Sequence, residues 1–141
     1  MTKIETEYPK YIRIDRSLKK KYLESLAEKP VSFFSPSSNI GTQLYFYAVV
    51  IGSKLGIRTK SSDPEDLRLY IELSDVQKIV LRAIVLKENN YDLDVLLDGK
   101  KTLKIIEEYA NGGLPILWEM ATNKQNEELK NELCELLGMD K

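Results

Sequence analysis

The stretch from Ile40 to Leu55 constrains the fold more than any other part of the sequence. Every residue in positions 44–51 is apolar or aromatic, whereas a surface helix alternates apolar and polar faces with a period near 3.6 residues. The run is shorter than the ~20 apolar residues that a membrane-spanning helix needs. Its β-branched residues would also suit a strand. Serine and asparagine N-cap residues before it and Gly56 after it favour a helix. We therefore predict a buried central helix.

The composition is typical of one soluble globular domain. The 141 residues suffice to bury a core, and we find no signal peptide, membrane span or lipidation motif. The single cysteine, Cys134, excludes an internal disulfide and is typical of a reducing compartment. We therefore expect a cytoplasmic protein with no membrane partner, in which Cys134 is a small core residue.

The chain contains no histidine, which excludes several common active sites. A histidine is needed for Ser-His-Asp and Cys-His catalysis, for His-ligated metals and for the usual general base near neutral pH. With a single cysteine, the common structural zinc sites are excluded as well. We predict no metal and no cofactor, and the sequence favours a protein that is not an enzyme.

The other patterns predict a mainly α, compact helical domain with one or two short β-segments, spanning residues 1–141. Residues 10–15 alternate in polarity, which predicts an extended segment. Asp15 can then cap a helix. A second alternation over residues 67–73 predicts a strand that pairs with residues 11–14 or with its own copy in an oligomer. We expect residues 1–9 to be flexible and residues 56–66 to be a polar connection. Helices are predicted over residues 16–28, 74–87, 93–97, 101–110, 114–121 and 123–138, the last of them amphipathic.

Positive charge is concentrated in the first part of the chain. Residues 1–60 contain eleven Lys and Arg against five Asp and Glu, while the remainder contains ten against seventeen. Such a basic face can bind nucleic-acid phosphates or an acidic partner. The alternative is that the two halves attract each other within one fold or between protomers. The candidate nucleic-acid-binding residues are Arg13, Arg16, Lys19, Lys20, Lys21, Lys54, Arg58 and Lys60.

Three further motifs carry weaker signals. Residues 63–66 group three carboxylates that could bind Mg²⁺, but the Glu-x-Lys of a nuclease is missing, which favours a solvated turn. Asp92, Asp94 and Asp98 have the composition of a calcium loop without its spacing, which favours helix capping. An extended segment followed by a basic helix and a second helix also resembles a ribbon-helix-helix DNA-binding protein.

Two stretches resemble the DNA phosphorothioation (Dnd) system-associated protein 4 family. They are FYAVVIGSKLGIR at residues 46–58 and EEYANGGL at residues 107–114, and the resemblance covers about residues 10–122. These small prokaryotic proteins accompany the machinery that replaces a DNA phosphate oxygen by sulfur, and its restriction components. The resemblance implies a role in antiviral defence and implies no catalytic residues. At residues 111–113, Asn-Gly-Gly is typical of a helix C-cap, so we expect a turn there.

We therefore expect an oligomeric, non-enzymatic accessory protein of a phosphorothioation modification and restriction system. It would bind DNA, or a protein of that machinery, through its basic N-terminal half. Changing Lys19, Lys20 and Lys21 together to Glu should then abolish DNA binding. Two alternatives stay open, a ribbon-helix-helix-like DNA-binding regulator and a structural adaptor that binds only proteins.

Overall fold

The computed structural model describes residues 8–24, 40–123, 131, 134 and 135. It confirms a mainly α-helical fold with short β-segments. The elements in chain order are β1 (Tyr11–Asp15); α1, an α-helical turn (Arg16–Leu18) that continues as a π-helix (Lys19–Leu23); α2 (Ile40–Leu55); β2 (Pro64–Leu69); α3 (Asp75–Glu88); and α4 (Gly99–Asn123). Short 3₁₀ turns cover Tyr70–Glu72 and Leu93–Leu97. Three predicted features lie outside the described residues. They are the end of the first predicted helix, at residues 25–28, the N-cap residues before α2, and most of the last predicted helix.

Helix α2 is the buried centre of the fold, as the apolar run predicts. Leu44, Tyr45, Val49 and Ile51 are each at most 1% exposed. The helix ends where predicted, at Gly56, whose φ of 70° is in the left-handed region that glycine adopts without strain. The Gly56 amide donates to the Ser53 carbonyl at 3.3 Å, and the Ile57 amide donates to the Gly52 carbonyl at 2.9 Å. Together these two hydrogen bonds form a Schellman motif.

Helix α4 is continuous through the Asn-Gly-Gly sequence, so the predicted turn at residues 111–113 is wrong. The helices predicted over residues 101–110 and 114–121 are one helix, which also contains Pro115. Its core-facing residues include Ile106, Leu114 and Leu117, which are fully buried. Local preference for a C-cap is therefore outweighed by the apolar surface that the uninterrupted helix buries against α2.

The glycines of α4 allow two helix backbones to touch. A Cβ atom on Gly113 would lie 1.8 Å from the carbonyl oxygen of Ala48 in α2, and one on Gly112 would lie 2.2 Å from the carbonyl oxygen of Ile57. In the opposite direction, a Cβ atom on Gly52 would lie 2.2 Å from the Tyr109 carbonyl oxygen. Any larger side chain at these positions would force the two helices apart.

The two strands form an antiparallel ribbon on this helical core. Tyr11 pairs with Leu69 and Asp15 with Pro64, with an irregularity between Ile12 and Arg13. The prediction that the second strand pairs with residues 11–14 is therefore confirmed. Its bounds were wrong, because the strand covers Pro64–Leu69 and the following residues turn in a 3₁₀ helix. Proline is tolerated at the first position of a strand, so part of the predicted polar connection is strand instead.

Helix α3 matches its prediction closely. Ser74 and Gln77 form a capping box at its start, with reciprocal hydrogen bonds of 3.1 and 3.0 Å. The predicted stop at its end is confirmed by Asn90 and Tyr91, which both have positive φ values. The helix predicted over residues 93–97 is a 3₁₀ turn, and Asp92 caps it by accepting from the Asp94 amide at 3.0 Å.

Candidate nucleic-acid interface

The cations of the β-ribbon and α1 face carboxylates of β2 and the residue before it. Arg13 contacts Asp66 at 3.0 Å, and Lys19 contacts Glu65 at 2.9 Å. Arg16 lies 3.5 Å from both Glu65 and Asp63. The hydrogen bond from Lys19 lowers the pKa of Glu65, with further lowering from the charge of Arg16. Three predicted DNA-contacting residues are thus already paired within the chain.

The same contacts account for the acidic cluster at residues 63–66. Its three carboxylates bind arginine and lysine side chains rather than converging on one point. In the part of the chain that the structure describes, no group of three His, Cys, Asp or Glu residues could hold a metal ion. The nuclease interpretation therefore has no metal-binding geometry there.

Two further predicted residues, Lys20 and Lys21, lie on the exposed side of α1. Neither forms an ion pair with another described residue. The Lys21 ammonium group lies 5.2 Å from the Tyr22 ring centre, within the range of a cation–π contact. Both ammonium groups remain available to an external anion.

A buried polar network holds the loop over residues 57–63 onto α4. The Asp15 carboxylate accepts hydrogen bonds from the amides of Ser62 and Asp63, at 3.0 and 3.1 Å, and from the Ser17 hydroxyl. The Ser17 bond and these amides lower its pKa to about 2 against the opposing effect of burial. Asp15 also lies at the predicted N-cap position of α1 with an extended backbone, but its side chain forms no capping hydrogen bond there.

Asn111 completes this network from the middle of α4. It is 1% exposed, and its carbonyl oxygen accepts from the Asp15 amide at 3.0 Å. Its amide nitrogen donates to the Thr59 carbonyl at 3.0 Å and to the Ser61 hydroxyl at 2.7 Å. Asn111 therefore positions the loop. The sequence predicted only a helix C-cap at this residue.

The positioned loop forms one wall of a charged cleft of about 390 Å³. The end of α3 and the first turns of α4 supply the other walls. Six charged side chains line the cleft: Arg58, Lys60, Glu88, Lys101, Lys104 and Glu108. Four of them are cations and two are carboxylates, so the lining has an excess of positive charge.

Arg58 forms ion pairs with both carboxylates of the cleft. Its guanidinium group lies 2.6 Å from Glu88 and 2.8 Å from the buried Glu108, and it lies over the Tyr109 ring at 5.7 Å. The Tyr109 hydroxyl donates to Glu88. Burial, followed by this hydrogen bond, raises the pKa of Tyr109 to about 12, while the bond lowers the pKa of Glu88. Near neutral pH, Glu88 is ionised and Tyr109 is neutral.

The three cleft lysines, Lys60, Lys101 and Lys104, are exposed and form no ion pair with any residue that the structure describes. The sequence predicted Lys60 but missed the other two, because they belong to the acidic half of the chain. Lys101 and Lys104 are three residues apart and therefore lie on one face of α4. That spacing was the sequence signal that could have indicated a second basic surface. The fold brings them to the basic loop, which a charge count along the sequence does not reveal.

The last predicted residue, Lys54, lies outside this cleft, at the rim of an apolar groove between α2 and α3. The ribbon also differs from that of a ribbon-helix-helix protein, in which strands from two protomers pair. Here β1 pairs with β2 of the same chain. The described strands therefore give the ribbon-helix-helix alternative no support.

The family DNA sulphur modification system-associated protein 4 matches residues 41–141. The chain belongs to this family. The match confirms the resemblance seen at residues 46–58 and 107–114, and it includes all residues of the cleft, whereas β1 and α1 precede it. No curated protein and no solved structure matches the chain.

Among the described helices, none combines the length and the apolar character needed to cross a membrane.

Proposed function

We propose that this family member is an accessory component of a DNA sulphur modification system that contacts DNA phosphates through the cleft. The family supports the DNA-related setting. The observation that carries the proposal is the set of three exposed lysines, Lys60, Lys101 and Lys104, without carboxylate partners in the described part of the chain. Lysine and arginine bind the DNA backbone by neutralising phosphates and releasing counterions.

The eight predicted cations should contribute unequally to DNA binding, because their surroundings differ. Lys60 contributes directly, and Arg58 contributes by pairing with Glu88 and Glu108, which reduces their repulsion of a phosphate. Lys20 and Lys21 add positive charge on α1, whereas Lys54 lies at the rim of the apolar groove and contributes little to the DNA contact. Arg13, Arg16 and Lys19 contribute least, since β2 and Asp63 already supply a carboxylate to each of them.

This mode of contact reads the charge of the backbone and carries no sequence information. A phosphorothioate group keeps the single negative charge of a phosphate. We therefore expect plain and phosphorothioated duplexes of the same sequence to bind with affinities within about threefold of each other. The protein would then act as a general DNA contact within the system rather than as a reader of the modification.

The test is fluorescence anisotropy with a labelled duplex at low salt, using wild-type protein and the variant Lys60→Glu/Lys101→Glu/Lys104→Glu. Three charge reversals should lower DNA affinity by at least about a hundredfold. All three side chains are exposed, so the thermal midpoint should change little, and a melting curve checks this. An affinity that is unchanged in a folded triple variant would overturn the proposal.

A further inference from the structure

An apolar groove of about 600 Å³ lies between α2 and α3. The residues that matter for its chemistry are Phe46, Tyr47 and Val50 of α2, Ile79 and Ile84 of α3, and Tyr91 beyond the end of α3. It is separate from the charged cleft, with which it shares no lining residue.

The α3 side of this groove is open to solvent. Ile79 is 63% exposed and Tyr91 is 70% exposed, although both are large hydrophobic residues. Continuous apolar surface of this kind marks an interaction site more often than single exposed residues do. A groove between two helices has the shape that accepts the apolar face of a third helix.

The rim of the groove is positively charged. Lys54 is in the last turn of α2, and Lys87 is in the last turn of α3. Both are exposed, and neither forms an ion pair with another described residue. A segment in the groove would therefore be favoured if it carried carboxylates where it passes these two lysines.

The chain's own Cys134 lies near one wall of the groove. Burial, and then the proximity of the Cys134 thiol, raise the pKa of Tyr47. Tyr47 belongs to the α2 side of the groove, whereas Ile79 of α3 and Tyr91 beyond it are exposed. The α3 side is therefore available to a further segment.

We propose that the groove binds one amphipathic helix of a partner protein. Apolar side chains spaced three or four residues apart would fill it, and acidic side chains at one end would pair with Lys54 and Lys87. This inference concerns a different surface from the DNA contact and does not depend on it.

Two synthetic peptides of about fourteen residues serve as probes, each with a leucine stripe at helical spacing and labelled with fluorescein. One carries glutamates beside the stripe and the other carries lysines. With the full-length protein, the glutamate peptide should bind at least about tenfold more tightly than the lysine peptide. Changing Lys54→Glu/Lys87→Glu should reverse that preference. Absence of saturable binding, or equal binding of both peptides, would overturn the proposal.

The variant Ile79→Asp should weaken binding of the glutamate peptide by at least about tenfold. Its matched control is Leu93→Asp, since Leu93 is 67% exposed but does not line the groove. Equal effects of the two substitutions would overturn the proposal. The DNA affinity of both variants should equal that of the wild-type protein, so failure of this proposal and failure of the DNA contact are distinguishable.

Two other occupants are outcomes of the same test. Self-association that Ile79→Asp abolishes, measured by sedimentation, would assign the groove to a second copy of the chain. A gain in peptide affinity on changing Leu133→Asp would assign it to the chain's own C-terminal segment. Either result would overturn binding of a partner helix, whereas a monomer with unchanged peptide affinity in the Leu133 variant supports it.

Discussion

Positive residues lie both beside the ribbon and in the cleft, but the cations that contact β2 and Asp63 are paired with carboxylates, whereas three lysines of the cleft have no ion pair with a described residue. Arg13, Arg16 and Lys19 face the carboxylates at positions 63, 65 and 66, so the ribbon contributes almost no net charge. In the cleft, one arginine pairs with both carboxylates and three lysines have no ion pair with a described residue, so four cations against two carboxylates leave two positive charges in excess. What a surface offers to DNA is its charge after internal pairing, which depends on the fold.

The ribbon pairs contribute little to stability individually. Exposed ion pairs are worth about 0–1 kcal/mol each, because water screens them and the side chains lose freedom. The stability of this region comes instead from the buried contacts of Asp15 and Asn111. Under the proposed DNA contact, we expect the cations of this region to matter less for binding than the cleft lysines do.

Both regions are attached to α4, and we expect the largest effect from breaking that attachment. Gly113→Ala places a methyl group against the Ala48 carbonyl oxygen. We expect a loss of at least about 3 kcal/mol in the free energy of unfolding, measured by urea denaturation. Both regions would be disrupted together. The control is Gly41→Ala, which meets no atom within 4 Å, and a loss below about 1 kcal/mol in the Gly113 variant would contradict the close crossing.

A smaller effect should separate the ribbon from the helices. Asn111→Ala removes the acceptor of the buried Asp15 amide and the donor to the Thr59 carbonyl. Unsatisfied buried groups cost about 1–3 kcal/mol, so we expect unfolding to become easier by about 2–3 kcal/mol. Asn89→Ala is the control, because that half-buried amide has one hydrogen bond, to the Val85 carbonyl. Equal losses in the two variants would argue that Asn111 has no special role in positioning the loop.

The stability of the ribbon region should depend on pH through Asp15. The pKa of Asp15 is lowered from 3.8 to about 2. The ionised form is thus favoured in the folded state, so its stabilisation is complete above pH 3.8 and is lost as the pH falls toward 2. The loss should be about 2 kcal/mol. Urea denaturation between pH 2 and pH 6 measures it, since Asp15→Asn should flatten this part of the profile. An identical profile in the variant would assign the acid sensitivity to other carboxylates.

Local signals in the sequence sufficed for much of the fold. Helix α2 follows from its apolar run and from Gly56, and α3 follows from Ser74 as the start of the predicted helix. Pairing between the two strands was one of the stated alternatives, because residues 10–15 and residues 67–73 both alternate in polarity. The structure shows this pairing.

The errors came from contacts between distant residues. Gly112 and Gly113 favour a helix end locally, but they are needed where α4 crosses Ala48 and Ile57. The charge count by halves predicted a basic face that included Arg13 and Arg16, yet their partners lie in β2 and just before it. Lys101 was missed for the same reason, since only the folded chain places it opposite Arg58 and Lys60.

The most direct test of the account compares the salt dependence of DNA binding in two neutralised variants. These are Lys60→Gln/Lys101→Gln/Lys104→Gln in the cleft and Lys19→Gln/Lys20→Gln/Lys21→Gln on α1. Each phosphate contact contributes about 0.9 to the slope of log affinity against log salt concentration. We predict that the cleft variant loses about 2–3 from the magnitude of the slope, whereas the α1 variant loses about 1 or less. A larger loss in the α1 variant, with the cleft variant unchanged, would contradict the account.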